Sequence, residues 1–342
     1  MKYSIHNTVN IESNVPALSN YLSDYFLSSG STSSEPDLII KIERDVDCPK
    51  ERLDRLDRWF YGKEGEDFIY YDDFILGMRD KVLIKNLDST PTEIYATKST
   101  LRINPRSRGS LSDIINIIVD LKLLRKGYLT IHAAGLTKGG TAILLAAFPN
   151  VGKTLCTLYL LKNGFKYLFD DTGFIDGKGI AYCNPFISTI GYHDFVKFIK
   201  PTDVGHLKYL KIALKGFPMS KSKVIGRIFE PPKIDLLKIE GNELAEKSRV
   251  GSVCILEIGE RKVKEMGREE LARKILITNE YSLPRAIRNP FMLAYSYFND
   301  FNFEEIRRKE RDILLKFLSG CKCYELACKE RDWLSVIKEV VR

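Results

Sequence analysis

The chain has 342 residues, a net charge of +8, seven cysteines and an apolar fraction of 44%. Its length suits two domains, its composition excludes a low-complexity protein, and its longest unbroken apolar run, 142–148, is too short to span a bilayer. The first residues lack the apolar core of a secretion signal. The cysteines are odd in number and scattered along the chain, which is typical of reduced thiols. We therefore expect a cytoplasmic protein that does not bind membranes.

Residues 1–127 have the pattern of a separate, smaller α+β domain. Short β-branched and aromatic runs separated by polar turns predict strands, and the broad apolar face of 111–124 predicts a helix. The predicted strands are 36–43, 68–71, 81–84 and 93–96. This half contains no set of residues that indicates catalysis.

Residues 128–342 are predicted to form a second domain that alternates strands and helices, as in an α/β fold. The predicted strands are 129–136, 141–146, 165–169, 180–183, 251–258 and 323–326, and the predicted helices are 155–163, 303–318 and 333–341. The strand 141–146 enters an eight-residue loop directly, and the helix 155–163 leaves it. Strand, loop and helix in this order are what a phosphate-binding loop requires.

The loop between this strand and helix has the pattern of a P-loop. It reads Ala147, Phe148, Pro149, Asn150, Val151, Gly152, Lys153 and Thr154. In such a loop, backbone N–H groups and the helix N-terminus face a phosphate chain, the lysine reaches the terminal phosphates and the threonine hydroxyl binds Mg²⁺. Alanine replaces the usual first glycine, and an alanine is strained there if this position needs a positive φ. Pro149 removes one N–H donor.

Two carboxylates follow the next strand, 165–169. Asp170 and Asp171 stand at the carboxyl end of that strand, beside the P-loop in an α/β sheet, where they can meet Mg²⁺ and the γ-phosphate. The alternative is a polar strand exit with an Asx turn. The position of the pair, 17 residues after Lys153, favours a role in phosphoryl transfer.

The positive charge is concentrated in one segment. Between Lys197 and Lys238 there are ten basic residues and three acidic ones. Such a segment can attract nucleic acid, an acidic protein or a phosphorylated substrate. It can equally be a solvated, lysine-rich surface.

With these motifs in place, the chain resembles the kinase domain of HPr kinase/phosphorylase and its serine-kinase-like relatives, and more distantly the phosphoenolpyruvate carboxykinase fold. The matching stretches are Ile131-His132-Ala133-Ala134, the loop 147–154, and the Gly-led strand 164–171. In that family a histidine-bearing strand precedes the P-loop and two aspartates follow it. The loop departs from the family's usual Gly-x-Ser-Gly-x-Gly-Lys-Ser, and the family's second glycine-rich signature is missing, which weakens HPr as the substrate.

The resemblance implies an α/β P-loop kinase domain that transfers a phosphoryl group from ATP, with Mg²⁺, to a hydroxyl, and relatives that form homo-oligomers. Lys153 would neutralise the β- and γ-phosphates, Thr154 would hold Mg²⁺, Asp170 would accept the proton and Asp171 would bind the metal, or the two aspartates would exchange roles. His132 would border the site, although a histidine in an apolar strand is equally a core residue. Arg227 and Arg249 are candidates for a cation that stabilises the transition state.

Three hypotheses remain open from the sequence. The first is a kinase that acts on a hydroxyl of a protein serine, an amino acid, a sugar or another metabolite. The second is a kinase whose acceptor is RNA, such as tRNA, held by the basic segment 197–238. The third, suggested by Ala147 and Pro149, is a nucleotide-binding regulatory module with little catalysis.

Overall fold

A computed structural model gives the fold, in which the chain is divided into two compact units. The structure describes residues 1–15, 28–29, 35–49, 53–75, 77–101, 111–184, 188–189, 196, 199–207, 209–210, 233–234, 236–239, 241–329 and 332–341. The first unit comprises Met1–Leu129 and Leu283–Asp312, and the second comprises Thr130–Ser282 and Ile313–Arg342. The segment 283–312, which the sequence analysis assigned to the C-terminal domain, thus lies in the first unit.

Among the described residues, the α-helices lie in the C-terminal two thirds of the chain. They are α1 (Leu111–Arg125), α2 (Lys153–Lys162), α3 (Arg268–Ser282), α4 (Pro290–Phe298), α5 (Phe303–Leu318) and α6 (Trp333–Val340), with a single helical turn at Pro201–Val204 and 3₁₀ turns at Lys98–Leu101, Leu236–Lys238 and Ala286–Arg288. In the part of the chain that the structure describes, no helix has both the length and the apolar character needed to cross a membrane.

The first unit is built on a nine-stranded mixed sheet. Its strands are β1 (Lys2–Ile5), β2 (Val9–Ser13), β3 (Ser28–Ser29), β4 (Leu38–Glu43), β5 (Asp54–Arg55), β6 (Phe60–Gly62), β7 (Phe68–Ile75), β8 (Met78–Lys85) and β9 (Thr92–Thr97). They lie in the order β3-β1-β2-β4-β9-β8-β7-β6-β5, and β4 pairs in parallel with β2 and β9. The four predicted strands of this half are confirmed as β4, β7, β8 and β9.

The segment 283–312 joins the first unit through aromatic packing. Phe291 of α4 lies edge-on to Phe60 of β6, with ring centroids 5.2 Å apart, and tilted against Tyr71 of β7 at 5.0 Å. Asn289 caps the amino end of α4 by accepting hydrogen bonds from the N–H groups of Phe291 and Met292, and Pro290 occupies the first turn. Aromatic contacts of this kind dominate the energetics of a core. Since these contacts join residues far apart in the chain, the position of the segment in the sequence does not reveal its place in the fold.

The second unit is built on a second mixed sheet. Its strands are β10 (Tyr128–Ile131), β11 (Ala133–Lys138), β12 (Thr141–Ala146), β13 (Lys166–Phe169), β14 (Gly173–Asp176), β15 (Ile180–Tyr182), β18 (Lys247–Ile258), β19 (Lys262–Glu265) and β20 (Lys322–Cys328), while β16 (Ser188–Thr189) and β17 (Lys233–Ile234) pair separately. The order is β10-β14-β15-β18-β12-β11-β13, and β20 pairs with β18 and β19. β18 runs parallel to β12 and to β20.

The pairing of β11, β12 and β13 brings three chain segments to one edge of this sheet. β11 is antiparallel to both β12 and β13, so those two strands run in the same direction. Ala133 at the start of β11 lies opposite Ala146 at the end of β12, and Gly135 lies opposite Phe169 at the end of β13. The residues just before β11, just after β12 and just after β13 therefore meet at one place.

Helices α2 and α6 cover this part of the sheet. Leu158 and Leu161 of α2, and Trp333, Val336 and Ile337 of α6, belong to one buried apolar cluster that also contains β12 and β18 side chains. The cluster anchors both ends of the loop 147–152, since it contains Ala147, which is fully buried, and Leu155 in the first turn of α2. The predicted strand–loop–helix unit is confirmed, as are the helices 303–318 and 333–341 to within one residue. The predicted strand 129–136 is interrupted at His132, between β10 and β11.

Candidate active site at the P-loop

The loop 147–152 joins the carboxyl end of β12 to the amino end of α2. The residues with positive φ in this loop are Asn150, at 65°, and Gly152, at 132°. Ala147 continues the buried strand into the loop instead, so the loop does not need a glycine at its first position. The positive φ that would strain an alanine at position 147 occurs instead at Asn150 and Gly152, and asparagine and glycine tolerate it.

Gly152 is held against the indole of Trp333. A Cβ at position 152 would stand 2.2 Å from Nε1 of Trp333, and that Nε1–H donates a hydrogen bond of 2.9 Å to the carbonyl of Val151. Gly152 accepts from the N–H of Cys156 at 3.1 Å, which forms the first turn of α2. The glycine is thus required both by its φ and by the indole beside it.

The amino end of α2 is open toward the loop. Gly152 is the N-cap residue, and within the described residues no side chain caps the helix. The first N–H groups of a helix lack partners inside the helix, and together with the helix dipole they favour an anion. This end of α2 can therefore receive a phosphate group.

Lys153, the first residue of α2, points into the protein. Its side chain is only 5% exposed, and Nζ lies 2.6 Å from Nε2 of His132, 3.2 Å from the carbonyl oxygen of Ala147 and 3.7 Å from Oδ1 of Asp171. Burial lowers the pKa of Lys153, while the charges of Asp171 and Asp170 oppose that shift. Phosphate oxygens on the loop could take the places of the His132 nitrogen and the Ala147 carbonyl as acceptors for this ammonium group, which would stay beside Asp171.

His132 is buried between two parts of the site. Burial lowers its pKa to about 4, and the charge of Lys153 acts in the same direction, while the charge of Asp171 and a hydrogen bond to the backbone of Asp171 oppose the shift. The imidazole is therefore neutral at pH 7, and Nε2 accepts from the ammonium group, which can only donate. Its backbone N–H donates to Oδ1 of Asn279 on α3, at 2.8 Å, so α3 fixes the strand break at His132.

Asp170 and Asp171 occupy different environments although they are adjacent. Asp170 is 2% exposed, and its Oδ2 accepts a 3.2 Å hydrogen bond from Oγ1 of Thr154. Asp171 has a positive φ of 74° and a side chain that is 48% exposed. The left-handed backbone at Asp171 turns the two carboxylates apart, one toward the threonine and one toward Lys153 and solvent.

Phe148 and Pro149 form the outer part of the loop. Phe148 is 42% exposed, and its ring meets that of Tyr281 of α3 edge-on, with centroids 5.3 Å apart. Tyr281 lies two residues after Asn279 on α3. The side chain of Asn279 also donates a hydrogen bond to the carbonyl of Thr130. Helix α3 therefore contacts the site both beneath His132 and at the lip of the loop.

The structure brings together Lys153, Thr154, Asp170, Asp171 and His132, but it separates Arg249 from them. Arg249 pairs with Thr141 at the start of β12, and the P-loop follows the other end of that strand. The hypothesis that Arg249 stabilises the transition state is therefore wrong. Arg227 and most of the basic residues of the segment 197–238 lie outside the described residues.

Two residues of the site were not found from the sequence. Trp333 supports the loop from α6, and Asn279 supports His132 from α3. The sequence predicts Trp333 only as the first residue of a helix, and Asn279 carries no signal, because a buried amide on a helix looks like any polar residue. Both are separated from their partners by well over a hundred residues.

Comparisons with known proteins give a distant structural similarity and no match by sequence. The sequence matches no protein-family model and no curated protein. Among solved structures, the fold is similar to the HPr(Ser) kinase/phosphatase from Coxiella burnetii, with 12% sequence identity and a TM-score of 0.30, over 62% of this chain and 93% of that chain. A likeness of this size carries no argument about activity, so the chemistry of the site rests on its own geometry.

Proposed function

We propose that the second unit is an ATP-dependent phosphotransferase that moves the γ-phosphoryl group to a hydroxyl acceptor. The observation that supports it best is the convergence of an uncapped helix end, Lys153, Thr154 and two aspartates at one edge of the sheet. Phosphoryl transfer needs mainly positioning and charge neutralisation, and these groups supply both. A structural strand-to-helix turn needs neither an enclosed lysine nor two carboxylates beside it.

The triphosphate would lie on the loop 147–152 with its terminal phosphates toward Lys153. The open N–H groups of α2 would donate to phosphate oxygens. Lys153 now shares its ammonium group with His132 and the Ala147 carbonyl, and phosphate oxygens carry more negative charge than either. The neutral His132 would keep the ammonium positioned without adding a competing positive charge.

The residues near Thr154 fit a magnesium ion. Mg²⁺ prefers hard oxygen ligands and commonly uses one or two protein groups with substrate phosphates, and the Thr154 hydroxyl and the Asp170 carboxylate offer such a pair, 3.2 Å apart. The described residues contain no group of three or more His, Cys, Asp or Glu side chains that could hold a metal, so a dedicated protein cage is not part of this proposal. When bound, Mg²⁺ would neutralise charge that develops on the phosphate oxygens.

The same geometry supports an exchange of the two aspartate roles given first in the sequence analysis. Asp170 is buried against Thr154, which suits a metal ligand. Asp171 is half exposed and can be reached by an acceptor, so Asp171 would take the proton from the attacking hydroxyl. Its Oδ1 lies 3.7 Å from Nζ of Lys153, so the carboxylate stands beside the phosphates that the lysine would bind, within reach of an attacking hydroxyl.

The test is transfer of label from γ-labelled ATP, with Mg²⁺, to a cell extract separated into protein, RNA and small molecules. Label in one fraction gives the acceptor class, and label in RNA alone would support the RNA hypothesis over a protein or metabolite acceptor. We expect Asp171→Asn to lower transfer by roughly 10² to 10⁴ while ATP binding is retained. ATP binding with no label in any fraction would instead support a regulatory module.

Thr154→Val has a matched control on the same helix. Thr157 lies one turn further along α2, is fully buried, and donates its hydroxyl to the carbonyl of Lys153. We expect Thr154→Val to lower Mg²⁺-dependent transfer by roughly 100-fold, and Thr157→Val to retain transfer. Equal losses in the two variants would contradict the role of Thr154 in holding the metal.

A further inference from the structure

A cleft lies at the end of the second sheet that is opposite the P-loop. It encloses about 550 Å³ and is bounded by the turn between β11 and β12, by β15, by the start of β18 and by the loop after α2. Its basic residues are Lys138, Lys166, Lys247 and Arg249. We call it the hairpin cleft. Strand β12 separates it from the P-loop by roughly 16 Å, given its six residues, so one small ligand does not reach both.

Two of the four cations in the hairpin cleft are fixed by partners. Lys138 donates to the carbonyl of Asn163 at 2.9 Å and stands over the ring of Phe165 at 5.4 Å. Lys166 pairs with Glu243 at 2.5 Å. These contacts hold the two ammonium groups at the wall of the cleft, and Glu243 is the carboxylate that offsets part of their charge.

The other two cations are exposed and paired with no carboxylate. Lys247 and Arg249 alternate with Ser248 along β18, opposite Tyr182 and Ile180 of β15. Among the described residues, neither head group has an ion-pair or hydrogen-bond partner. The buried Asp176 forms no ion pair with either of them; its carboxylate accepts from the Tyr182 hydroxyl and from the N–H groups of Lys178 and Ile180. Positive charge thus accumulates at one wall.

The frame behind these cations is rigid. Oγ1 of Thr137 and Oγ of Ser248 share a buried hydrogen bond of 2.8 Å that ties β11 to β18, and Oγ of Ser248 lies 3.1 Å from the carbonyl of Gly140 in the turn. Fixed positions reduce the entropy that side chains lose when a ligand binds. A concave site of this volume is the size that small-molecule ligands occupy.

We propose that the hairpin cleft binds a small molecule that carries phosphate groups, at a site separate from the P-loop. Among the described residues, four cations and no carboxylate line the cleft, and this excess of positive charge favours a multiply charged anion. Guanidinium and ammonium groups are the side chains that bind phosphate best. Lys247 and Arg249 are the principal ligands, because they alone carry free head groups there, among the described residues. The proposal is independent of catalysis at Lys153.

The experiment titrates pyrophosphate into the full chain by calorimetry, first alone and then with the P-loop saturated with ATP and Mg²⁺. Trp333 donates to the P-loop, so its fluorescence reports occupation of that loop, and Trp59→Phe removes the chain's second tryptophan. We expect pyrophosphate to bind the ATP-saturated protein without a change in Trp333 fluorescence, and its affinity to fall with added salt. An absence of binding under these conditions would overturn the proposal.

The variant Lys247→Gln with Arg249→Gln removes both free cations from exposed positions. Its matched control, Lys264→Gln with Arg268→Gln, removes one lysine and one arginine charge from other exposed positions of the same unit. We expect the first pair to weaken pyrophosphate binding at least ten-fold and the second to leave it unchanged. An equal loss in both would show a general charge effect and no site. If ATP fails to bind at all, this comparison of the two pairs still tests the cleft, which separates its failure from that of the proposed kinase.

Discussion

The two ends of strand β12 hold their cations in opposite ways. At the carboxyl end, Lys153 is enclosed by His132, Asp171 and the Ala147 carbonyl. At the amino end, Lys247 and Arg249 stand exposed on the neighbouring strand. Because the lysine at the P-loop is buried, each of its contacts affects the stability of the fold as well as the chemistry of the site. An exposed cation can be removed, or bound by a ligand, with little effect on the stability of the fold.

The largest expected effect contrasts a glycine at each end. Gly152 and Gly139 both have positive φ, but only Gly152 faces a side chain where a Cβ would stand, the indole of Trp333. We expect Gly152→Ala to lower the free energy of unfolding by about 3 kcal/mol or more, since strain and a clash add. Gly139→Ala should cost about 1 to 2 kcal/mol from strain alone. Denaturant unfolding measures both.

Equal losses in the two glycine variants would mean that the indole moves aside without cost. The P-loop would then be less tightly supported than its contacts indicate.

The next effect concerns protonation at the enclosed end. The pKa of His132 is lowered to about 4 in the folded chain, against about 6.5 unfolded, so between these values the unfolded chain binds a proton that the folded chain does not. Stability from this group is therefore complete above pH 6.5 and is lost as pH falls toward 4, by about 3 kcal/mol. Unfolding of the parent and of His132→Gln at several pH values measures it.

We expect His132→Gln to lack that part of the pH dependence. His206→Gln, at an exposed position, should keep the profile of the parent protein. A His132→Gln profile parallel to that of the parent would show that the histidine is not enclosed in solution.

A smaller effect is expected for the support of the loop by α6. Trp333→Phe removes the hydrogen bond to the Val151 carbonyl and should cost about 1 to 2 kcal/mol, because a partly buried acceptor loses its donor. Binding of inorganic triphosphate should weaken as well. Trp59→Phe, at a partly exposed position in the first unit, is the control and should leave triphosphate binding unaltered.

The smallest effect is expected at the amino end of β12. Lys247→Gln with Arg249→Gln should change the free energy of unfolding by less than about 0.5 kcal/mol, as is usual for exposed residues without partners. Thermal unfolding in the absence of ligand measures it. A loss above about 1 kcal/mol would show that these cations help to hold the fold, and the contrast between the two ends of β12 would then fail.

Much of the secondary structure could be predicted from local sequence. The run 141–146, the loop after it and the helix after that are fixed by an apolar strand pattern, a glycine and a helical period, all within about twenty residues. Helix α5 matches its predicted bounds, since its period is strong and uninterrupted. The segment 283–312 could not be assigned to its unit, because its partners Phe60 and Tyr71 lie more than two hundred residues earlier.

The sequence by itself determined which residues at the loop carry charge and hydroxyl groups, namely Lys153, Thr154 and the pair Asp170 and Asp171. It could not decide what each one touches. Strand order and register placed His132 beside Lys153, put Asp170 rather than Asp171 against Thr154, and moved Arg249 to the far end of β12. The physical reason is that local pattern sets helix and strand, whereas contacts between distant residues depend on which strands pair and which faces are buried.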